Sequence, residues 1–306
     1  MKLPRMTHLY ESNRLDAARW QRFMPRDGDV VISTSIKAGT TWMQTIVANL
    51  IFPDGALPGA VTEISPWIES RMHPADKLFA RIEAQQDRRF LKCHLPLDGI
   101  PYFENVRYVV VGRDARDVFM SLLNHYANLT PAAHQLINDM RGGVGEASLP
   151  YDGDPRGLWR RWMSQGVFPW EHDGWPYWSH LHHAQSWWDW RHLPNILLVH
   201  YNDLLADLPG EMRRVAAYLG IEVPEALWPR VIEAATFTSM QENADQIVPM
   251  ASVLWKGGGK TFINKGTNGR WRELLTDDDL VLYAQAVERA LSPDCARWLE
   301  GGGRDE

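Results

Sequence analysis

Short runs of β-branched residues alternate along the chain with stretches whose apolar residues recur at helical spacing. The runs that predict buried strands are 29–34, 90–94, 107–111 and 195–201. The helical stretches are 41–52, a segment capped by Asp114 and ending near 126, 209–219 and 277–290. This alternation predicts an α/β fold with a central, mainly parallel sheet flanked by helices. Such sheets bind ligands at the carboxyl ends of their strands.

Two segments depart from the alternation. Residues 131–159 are rich in Gly, Pro and Asp and predict a loop-rich insertion, and the glycine-rich stretch 256–270 predicts a flexible flap. The tail 301–306 is expected to be disordered. Because no repeat or linker separates these parts, we expect one domain over residues 1–306.

Composition narrows the possible functions. The chain has 306 residues, 45% of them hydrophobic, which is enough for a full core, and its formal net charge of -6 does not favour nucleic acid as a partner. Two cysteines do not make a disulfide framework, and no apolar run approaches the ~20 residues of a membrane span. With no signal peptide recognisable before residue 15, a cytoplasmic location is expected.

The segment 33–42 (STSIKAGTTW) joins the first predicted strand to its helix. Free N–H groups at a helix N-terminus bind anions, Gly39 allows close approach, and Lys37 adds positive charge. A Walker A loop has its lysine after the last glycine, whereas Lys37 precedes Gly39. From the loop alone, a phosphate site and an ordinary exposed turn lysine stay equally open.

The loop K-x-G-T-T-W after a strand resembles the 5'-phosphosulfate loop of the cytosolic sulfotransferases. The resemblance implies a P-loop-like three-layer sandwich. It also implies the co-substrate 3'-phosphoadenosine-5'-phosphosulfate (PAPS), which these enzymes use without a metal. The donor contacts implied for this loop are Lys37, Ala38, Gly39, Thr40, Thr41 and Trp42.

The segment FLKCHLP at 90–96 is similar to the family's K-[TS]-H-L-P motif. The resemblance makes His94 the general base and puts Lys92 near the reacting centre. A neutral imidazole, with an ordinary pKa of about 6.5, can take a proton from an acceptor at neutral pH.

The segment 106–126 resembles the family's 3'-phosphate segment, in which an arginine ends a strand and a serine follows eight residues later. The corresponding residues are Arg113 and Ser121, and we count Ser121 also among the catalytic residues. From the residues alone, Arg113 could instead pair with Asp114 or Asp117, and Ser121 could bond its own helix backbone.

Two further segments resemble parts of the family's nucleotide site. The residues matching the adenine contacts, opposite Trp42, are Tyr201, Thr236, Phe237 and Met240. The segment 262–271 matches the part that closes over the 3'-phosphate, with Asn264, Lys265 and Gly266 as contacts. Asn264 replaces the family arginine, so Lys260, Arg270 or Arg272 would have to supply the missing charge.

The acceptor is the least defined part of the prediction. Trp67 lies in a segment, 62–69, that resembles the family's first acceptor-side loop. Ligand pockets have mostly apolar walls, and an aromatic cluster offers such a wall: Phe168, Trp170, Trp175, Tyr177 and Trp178. We expect a small apolar alcohol or phenol, with an amine less favoured. The oligomeric state, monomer or homodimer, is left open.

These features predict in-line transfer of a sulfo group to an acceptor oxygen. His94 removes the proton, while Lys37, Lys92 and the loop N–H groups hold the developing charge. Two alternatives remain. A P-loop-type kinase would need Mg²⁺ and ATP, and the missing G-K-[ST] order counts against it. A catalytically silent nucleotide-binding protein of the same fold is favoured only by Asn264.

Overall fold

The computed structural model of the protein describes residues 2–303. Its sheet contains β1 Val30–Thr34, β2 Phe90–Cys93, β3 Arg107–Gly112 and β4 Ile196–His200. The strands lie in the order β2-β1-β3-β4, and each neighbouring pair is parallel. Strand β1 is central and buried along its whole length, as its run of β-branched residues predicts. The predicted α/β class with a parallel sheet is confirmed.

Helices surround this sheet. They are α1 Thr40–Ile51, α2 Val61–Ile64, α3 Ala75–Ala84, α4 Ala115–Ala127, α5 Pro131–Met140, α6 Pro155–Ser164, α7 His180–Trp188, α8 Tyr201–Ala206, α9 Leu208–Leu219, α10 Trp228–Ala234, α11 Phe237–Glu242, α12 Ala244–Ile247, α13 Ala251–Leu254, α14 Gly258–Phe262, α15 Asp277–Ala290 and α16 Pro293–Gly301. Short 3-10 helices span Ala17–Arg22, Leu97–Gly99, Glu225–Leu227 and Arg270–Glu273. None of the helices within residues 2–303 has the length and apolarity needed to cross a membrane.

The two faces of the sheet are covered by different helices. Helix α1 packs on β1 and β2. Helix α7 is joined to the sheet through Trp187, whose ring centroid lies 5.3 Å from that of Tyr108 in β3, and through a 3.0 Å hydrogen bond between His183 Nε2 and Ser33 Oγ. Buried apolar residues from Tyr10 to Leu299 form one cluster. The assignment of a single domain stays a prediction.

Local sequence explains where the helices begin and end. The carboxylate of Asp114 caps α4 by accepting from the Arg116 N–H at 2.8 Å, and Gly220, at φ 65°, ends α9. Helix α15 spans the residues that the sequence predicts.

The segment 131–159 is less loop-like than its composition suggested. It contains α5 and the first half of α6, separated by residues 141–154. Thr130 caps α5 by accepting from the Ala133 N–H at 3.1 Å, and Pro131 stands at the first helical position, where a missing N–H costs nothing. The count of Gly, Pro and Asp concealed this start signal, so the loop-rich description was wrong for α5.

The predicted flap and tail also have structure. Residues 256–270 contain α14, and the Gly269 N–H donates to Asp117 Oδ1 at 2.6 Å, which ties the segment to α4. Gly301 ends α16, and the Gly303 N–H donates to the Asp203 carboxylate at 3.1 Å. Residues 301–303 therefore have contacts with the rest of the chain, residues 304–306 lie outside the described residues, and disorder of the tail stays a prediction.

Candidate active site

The carboxyl ends of the four strands meet at one edge of the sheet. Strand β1 leads into the loop that carries Lys37, β2 ends directly before His94, β3 before Arg113 and β4 before Tyr201. Since the strands are parallel, these four positions share one edge. A cavity of about 640 Å³ opens there, and all four side chains line it. The topology thus brings together residues that lie up to 164 positions apart in the chain, from 37 to 201.

The loop between β1 and α1 has a constrained backbone. Within residues 2–303, Lys37 is the one residue other than glycine with positive φ, at 64°. Gly39 has φ 120°, and a Cβ there would lie 3.1 Å from Tyr201 Cδ2. Thr34 Oγ1 and Thr40 Oγ1 are hydrogen bonded at 2.5 Å. Helix α1 starts at Thr40, so its first N–H groups lie beside the cavity without helical acceptors.

The structure brings most residues of this loop to the cavity. Its lining includes Lys37, Gly39, Thr40, Thr41 and Trp42. Ala38 is fully buried, and its side chain is not part of the lining. Any contact from Ala38 to a ligand must therefore come from its backbone.

Two lysines line the cavity, and neither forms a salt bridge with another residue of the described range 2–303. Lys37 Nζ lies 4.1 Å from the ring centroid of Phe262, and Lys92 Nζ lies 4.6 Å from that of Trp67. Burial lowers the pKa of Lys37 to about 7, with further lowering by Lys92 and Arg113. Burial also lowers the pKa of Lys92 to about 8, against the opposing effect of Glu69. An anion bound between these amines would favour their charged forms.

His94 is held in one tautomer. Its Nδ1 lies 2.7 Å from the carbonyl oxygen of Thr34, so Nδ1 carries the proton and donates it. The His94 backbone N–H donates to Glu69 Oε1 at 2.6 Å, which fixes the main chain. Within residues 2–303, Nε2 has no hydrogen-bond partner. Burial holds the pKa of His94 well below its usual value, and Lys92 adds to this effect, so the imidazole is neutral.

Arg113 forms no salt bridge with an acidic residue in the described part of the chain, contrary to one interpretation of the sequence. Asp114 instead binds Arg116, with 2.5 Å between its Oδ2 and Nη2. The Arg113 guanidinium donates to Asn268 Oδ1 from Nη2 at 2.7 Å and from Nε at 3.2 Å. It also lies 3.8 Å from the ring centroid of Tyr201. The arginine is thus held in place by a neutral amide and an aromatic ring.

Ser121 lies on α4, eight residues after Arg113, and lines the same cavity. Its hydroxyl has no hydrogen bond to any residue from 2 to 303, so the alternative of a serine bonded to its own helix is not found. The hydroxyl is available to a ligand.

Aromatic and apolar side chains line the part of the cavity near Trp42 and Tyr201. Trp42 and Tyr201 meet edge to face at 5.0 Å, and Trp42 Nε1 donates to the Ala235 carbonyl at 2.8 Å. Phe237 and Met240 line the cavity, but Thr236 does not. The Thr236 hydroxyl instead caps α11 by accepting from the Ser239 N–H at 3.2 Å.

The segment 264–270 closes one side of the cavity. Asn264, Lys265 and Gly266 all line it, and so does Arg270. Gly266 has φ 64°, and a Cβ there would lie 2.4 Å from Phe237 Cδ2, so only glycine fits. Of the three cations considered as replacements for the family arginine, Lys260 and Arg272 are not in the lining. Arg270 therefore remains, and its Nε is buried without a partner among the described residues.

The structure brings only part of the predicted acceptor wall to the cavity. Trp67, Tyr177 and Trp178 line the cavity beside His94, but Phe168, Trp170 and Trp175 do not. Phe168 and Trp170 stack at 5.4 Å and both contact Tyr10, so they hold the N-terminal segment. The Arg161 guanidinium covers Trp175 at 3.3 Å. These three aromatic side chains have structural partners elsewhere.

Several further residues line the cavity that the sequence analysis did not predict. They include two arginines near the start of the chain, residues of α5 and of the segment 248–255, and a second histidine. The members are Arg14, Arg71, His125, Leu129, Leu136, Ile137, Met140, Val248, Met250, Leu254, Trp255, Phe262 and Ile263. Two signals could have found part of this set: the Thr130-Pro131 helix start, and the position of His125 four residues after Ser121 on the same helix face.

Comparison with known proteins decides the family. The family model described as "Sulfotransferase domain" matches residues 27–292. The chain belongs to this family. It is 32% identical over 310 residues to a glycolipid sulfotransferase of Mycobacterium tuberculosis, which covers 97% of this chain and 95% of the relative. It is 26% identical to rat sulfotransferase 1A1, over 84% of this chain and 82% of the relative.

Solved structures agree on the fold. Retinol dehydratase, determined with retinol and PAP, gives a TM-score of 0.70 at 22% identity over 90% of this chain and 85% of that chain. Mouse sulfotransferase SULT7A1, complexed with PAP, gives 0.69 at 18% identity over 92% of each. The sulfotransferase assignment and the three-layer fold predicted from the sequence are confirmed.

Proposed function

We propose that this sulfotransferase moves the sulfo group of PAPS onto a hydroxyl of a small amphiphilic acceptor. The observation that carries the proposal is the tautomer of His94 and the position of its ring in the cavity. Its Nδ1 is held by the Thr34 carbonyl, and its unbonded Nε2 shares a cavity with two lysines that form no salt bridge with any residue from 2 to 303. A base beside an anion site is what sulfo transfer requires.

The donor would lie along the carboxyl edge of the sheet. Lys37 and the N–H groups at the start of α1 would hold the 5'-phosphosulfate, and Arg113 and Ser121 the 3'-phosphate. The adenine would lie between Trp42 and Phe237. The bound PAP named for the two similar structures supports a nucleotide of this kind.

Arg270 would supply the charge that Asn264 lacks. It lines the cavity with Arg113, and after burial it is one of the effects that lower the pKa of Arg113, so the two cations act on the same space. Two guanidinium groups suit the several oxygens of a phosphate. A donor site without the family arginine at 264 therefore remains complete.

The chemical step is a displacement at sulfur. The acceptor oxygen forms a bond to sulfur while the bond from sulfur to the bridging 5'-phosphate oxygen breaks. His94 Nε2 takes the acceptor proton, and the electron pair of the broken bond stays on the leaving phosphate. Lys37 and Lys92 stabilise that negative charge, since buried cations interact strongly with it. No protein group changes oxidation state, and we expect no metal to take part.

The acceptor end of the cavity favours an amphiphile over a plain phenol. The lining also has an aliphatic part, with Leu136, Ile137 and Met140 from α5 and Val248 and Met250 from the segment 248–255. Such a surface suits a hydrocarbon chain. The glycolipid sulfotransferases that resemble this chain over 97% of its length support an acceptor of this class.

The test is product formation by the purified protein. PAPS is incubated with alkyl glycosides, aliphatic alcohols and phenols, and sulfated products are identified by mass, with and without EDTA. A sulfated alkyl product, unaffected by EDTA, is expected. Transfer of phosphate from ATP and Mg²⁺ to the same acceptors would support the kinase alternative. Tight PAP binding without turnover on any acceptor would support a silent nucleotide-binding protein. A cytoplasmic location stays our expectation.

A further inference from the structure

A second histidine lies in the cavity and has no role in the reaction described above. His125 is on α4, four residues and one helical turn after Ser121, and it lines the cavity. Its Nδ1 is buried without a hydrogen-bond partner, and no residue from 2 to 303 bonds its Nε2.

Other histidines of the interior differ from His125. His180 bonds both Ser35 and the Arg113 carbonyl, His200 bonds the Leu299 carbonyl and the Asn202 N–H, and His183 bonds Ser33. Buried polar groups in proteins are almost always satisfied. In the same cavity lining, Tyr177 Oη, Trp178 Nε1 and Trp255 Nε1 are also buried without a hydrogen-bond partner among the described residues, so we expect a polar ligand to satisfy this group of atoms.

The surroundings of His125 keep it neutral. Burial lowers its pKa well below the usual value, and Lys37, Arg14 and Lys92 lower it further. A neutral imidazole has one N–H donor and one lone-pair acceptor. This combination matches a hydroxyl group, which also donates once and accepts.

A wall of aromatic rings connects the two histidines. Ring centroids lie 5.4 Å apart for His94 and Trp178, 5.8 Å for Trp178 and Tyr177, and 6.0 Å for Tyr177 and His125. Trp255 covers the other side of His125 at 5.0 Å. Both imidazoles therefore border one continuous aromatic wall, along which an acceptor with more than one hydroxyl would lie.

We infer that His125 binds a second hydroxyl of the acceptor and so selects a polyhydroxylated ring, such as a glycosyl group, over an acceptor with a single hydroxyl. This inference rests on the proposed function. His94 takes the proton of the reacting hydroxyl, and His125 orients the ring through a hydroxyl that does not react. Its hydrocarbon substituent would then extend along α5.

The experiment compares two acceptors that share a ring size and an octyl chain. Octyl β-glucoside, below its micelle concentration, offers several ring hydroxyls, and 4-octyloxycyclohexanol offers one. We measure kcat/KM for both with the wild-type enzyme and with His125→Phe and His125→Gln. Phenylalanine keeps the ring shape without hydrogen bonds, and the glutamine amide restores a hydrogen-bonding group.

The wild-type enzyme should prefer the glucoside. His125→Phe should reduce kcat/KM for the glucoside by about tenfold or more, since one hydrogen bond to a buried partner is lost. The same substitution should change kcat/KM for the cyclohexanol by less than about threefold. His125→Gln should recover most of the loss. Thermal unfolding and PAP binding check each variant, and His125→Leu replaces His125→Phe if the latter does not fold.

Three outcomes overturn the inference. Equal losses of kcat/KM for both acceptors would show that His125 has a structural role. No loss of kcat/KM for either acceptor would show that His125 does not contact the acceptor. Transfer to the cyclohexanol by the wild-type enzyme, without preference for the glucoside, overturns the inference but leaves the proposed function intact. Transfer to neither acceptor overturns both together.

Discussion

The two ends of the cavity are built in different ways. At the proposed donor end, His94, Arg113 and Tyr201 each follow directly from a strand of one parallel sheet, and Lys37 lies in the loop after β1. At the proposed acceptor end, much of the lining comes from outside the sheet, from α5, the segment 248–255 and Arg14. Under the proposed function, the sheet positions the groups that carry chemistry, while peripheral segments shape the acceptor side. The following predictions test this division, beginning with the largest effect.

Removal of the base should affect turnover and leave the donor site intact. His94→Ala should lower kcat by about 10³, within the range typical of general-base catalysis. PAP should still raise the melting temperature as in the wild type, because the donor contacts lie in other residues. The exposed His172 gives a matched control, and His172→Ala should change neither quantity. A similar loss of turnover and of PAP binding in His94→Ala would make His94 structural.

Of the two arginines in the segment 264–272, only Arg270 should contribute to nucleotide binding. Arg270→Ala should weaken PAP binding by about tenfold to a hundredfold, since charge-assisted hydrogen bonds to phosphate would be lost. Isothermal titration calorimetry measures the change. Arg272 provides the control. Its guanidinium packs on the Trp271 ring at 4.5 Å and is not part of the cavity lining. If Arg272→Ala had the larger effect, the compensating cation would have been misassigned.

The donor end should also respond to pH. In the free enzyme the pKa of Lys37 is about 7 and that of Lys92 about 8, both below the ordinary lysine value. An anion binds the protonated amines better, so PAP binding takes up protons. Affinity should be highest below pH 7 and fall by roughly tenfold between pH 7 and pH 9.

Calorimetry in two buffers with different ionisation heats would detect this proton uptake directly. Lys37→Met should remove the part of it that belongs to Lys37. An affinity that rises with pH over the same interval would contradict the assignment.

The smallest effect is expected at the acceptor end. Ile137→Ala should raise KM for octyl acceptors about fivefold and leave PAP binding unchanged, because several buried methyl and methylene contacts are lost. Leu149→Ala, at a leucine that is 64% exposed and outside the cavity, serves as the control. Steady-state kinetics with octyl and butyl acceptors should show the effect only for the longer chain. A change in PAP affinity would mean that the two ends are not separable.

The same division explains what could be predicted from the sequence. The shared position of Lys37, His94, Arg113 and Tyr201 was predictable because each follows a strand with a recognisable pattern, and parallel strands bring such residues to one edge. Thr236 is not in the cavity lining, since its hydroxyl caps α11, and a motif does not distinguish a helix cap from a ligand contact.

The acceptor site was not predictable in the same way. Phe168, Trp170 and Trp175 have the composition of a pocket wall, but nothing local shows that Tyr10 and Arg161 already cover them. Arg14 carries no motif, and its place in the cavity depends on how the N-terminal segment packs. Helix α5 had a start signal, but the many glycines and prolines after it outweighed that signal.

The amide of Asn268 has a consequence for the nucleotide site. It holds the Arg113 guanidinium at 2.7 Å and is itself anchored, with its Nδ2 donating to Asn202 Oδ1 at 2.6 Å. Because an amide is neutral, it fixes the arginine without cancelling its charge. The guanidinium is thus fixed by its Nε and Nη2 while its charge is retained, so an arriving nucleotide has little side-chain freedom left to freeze.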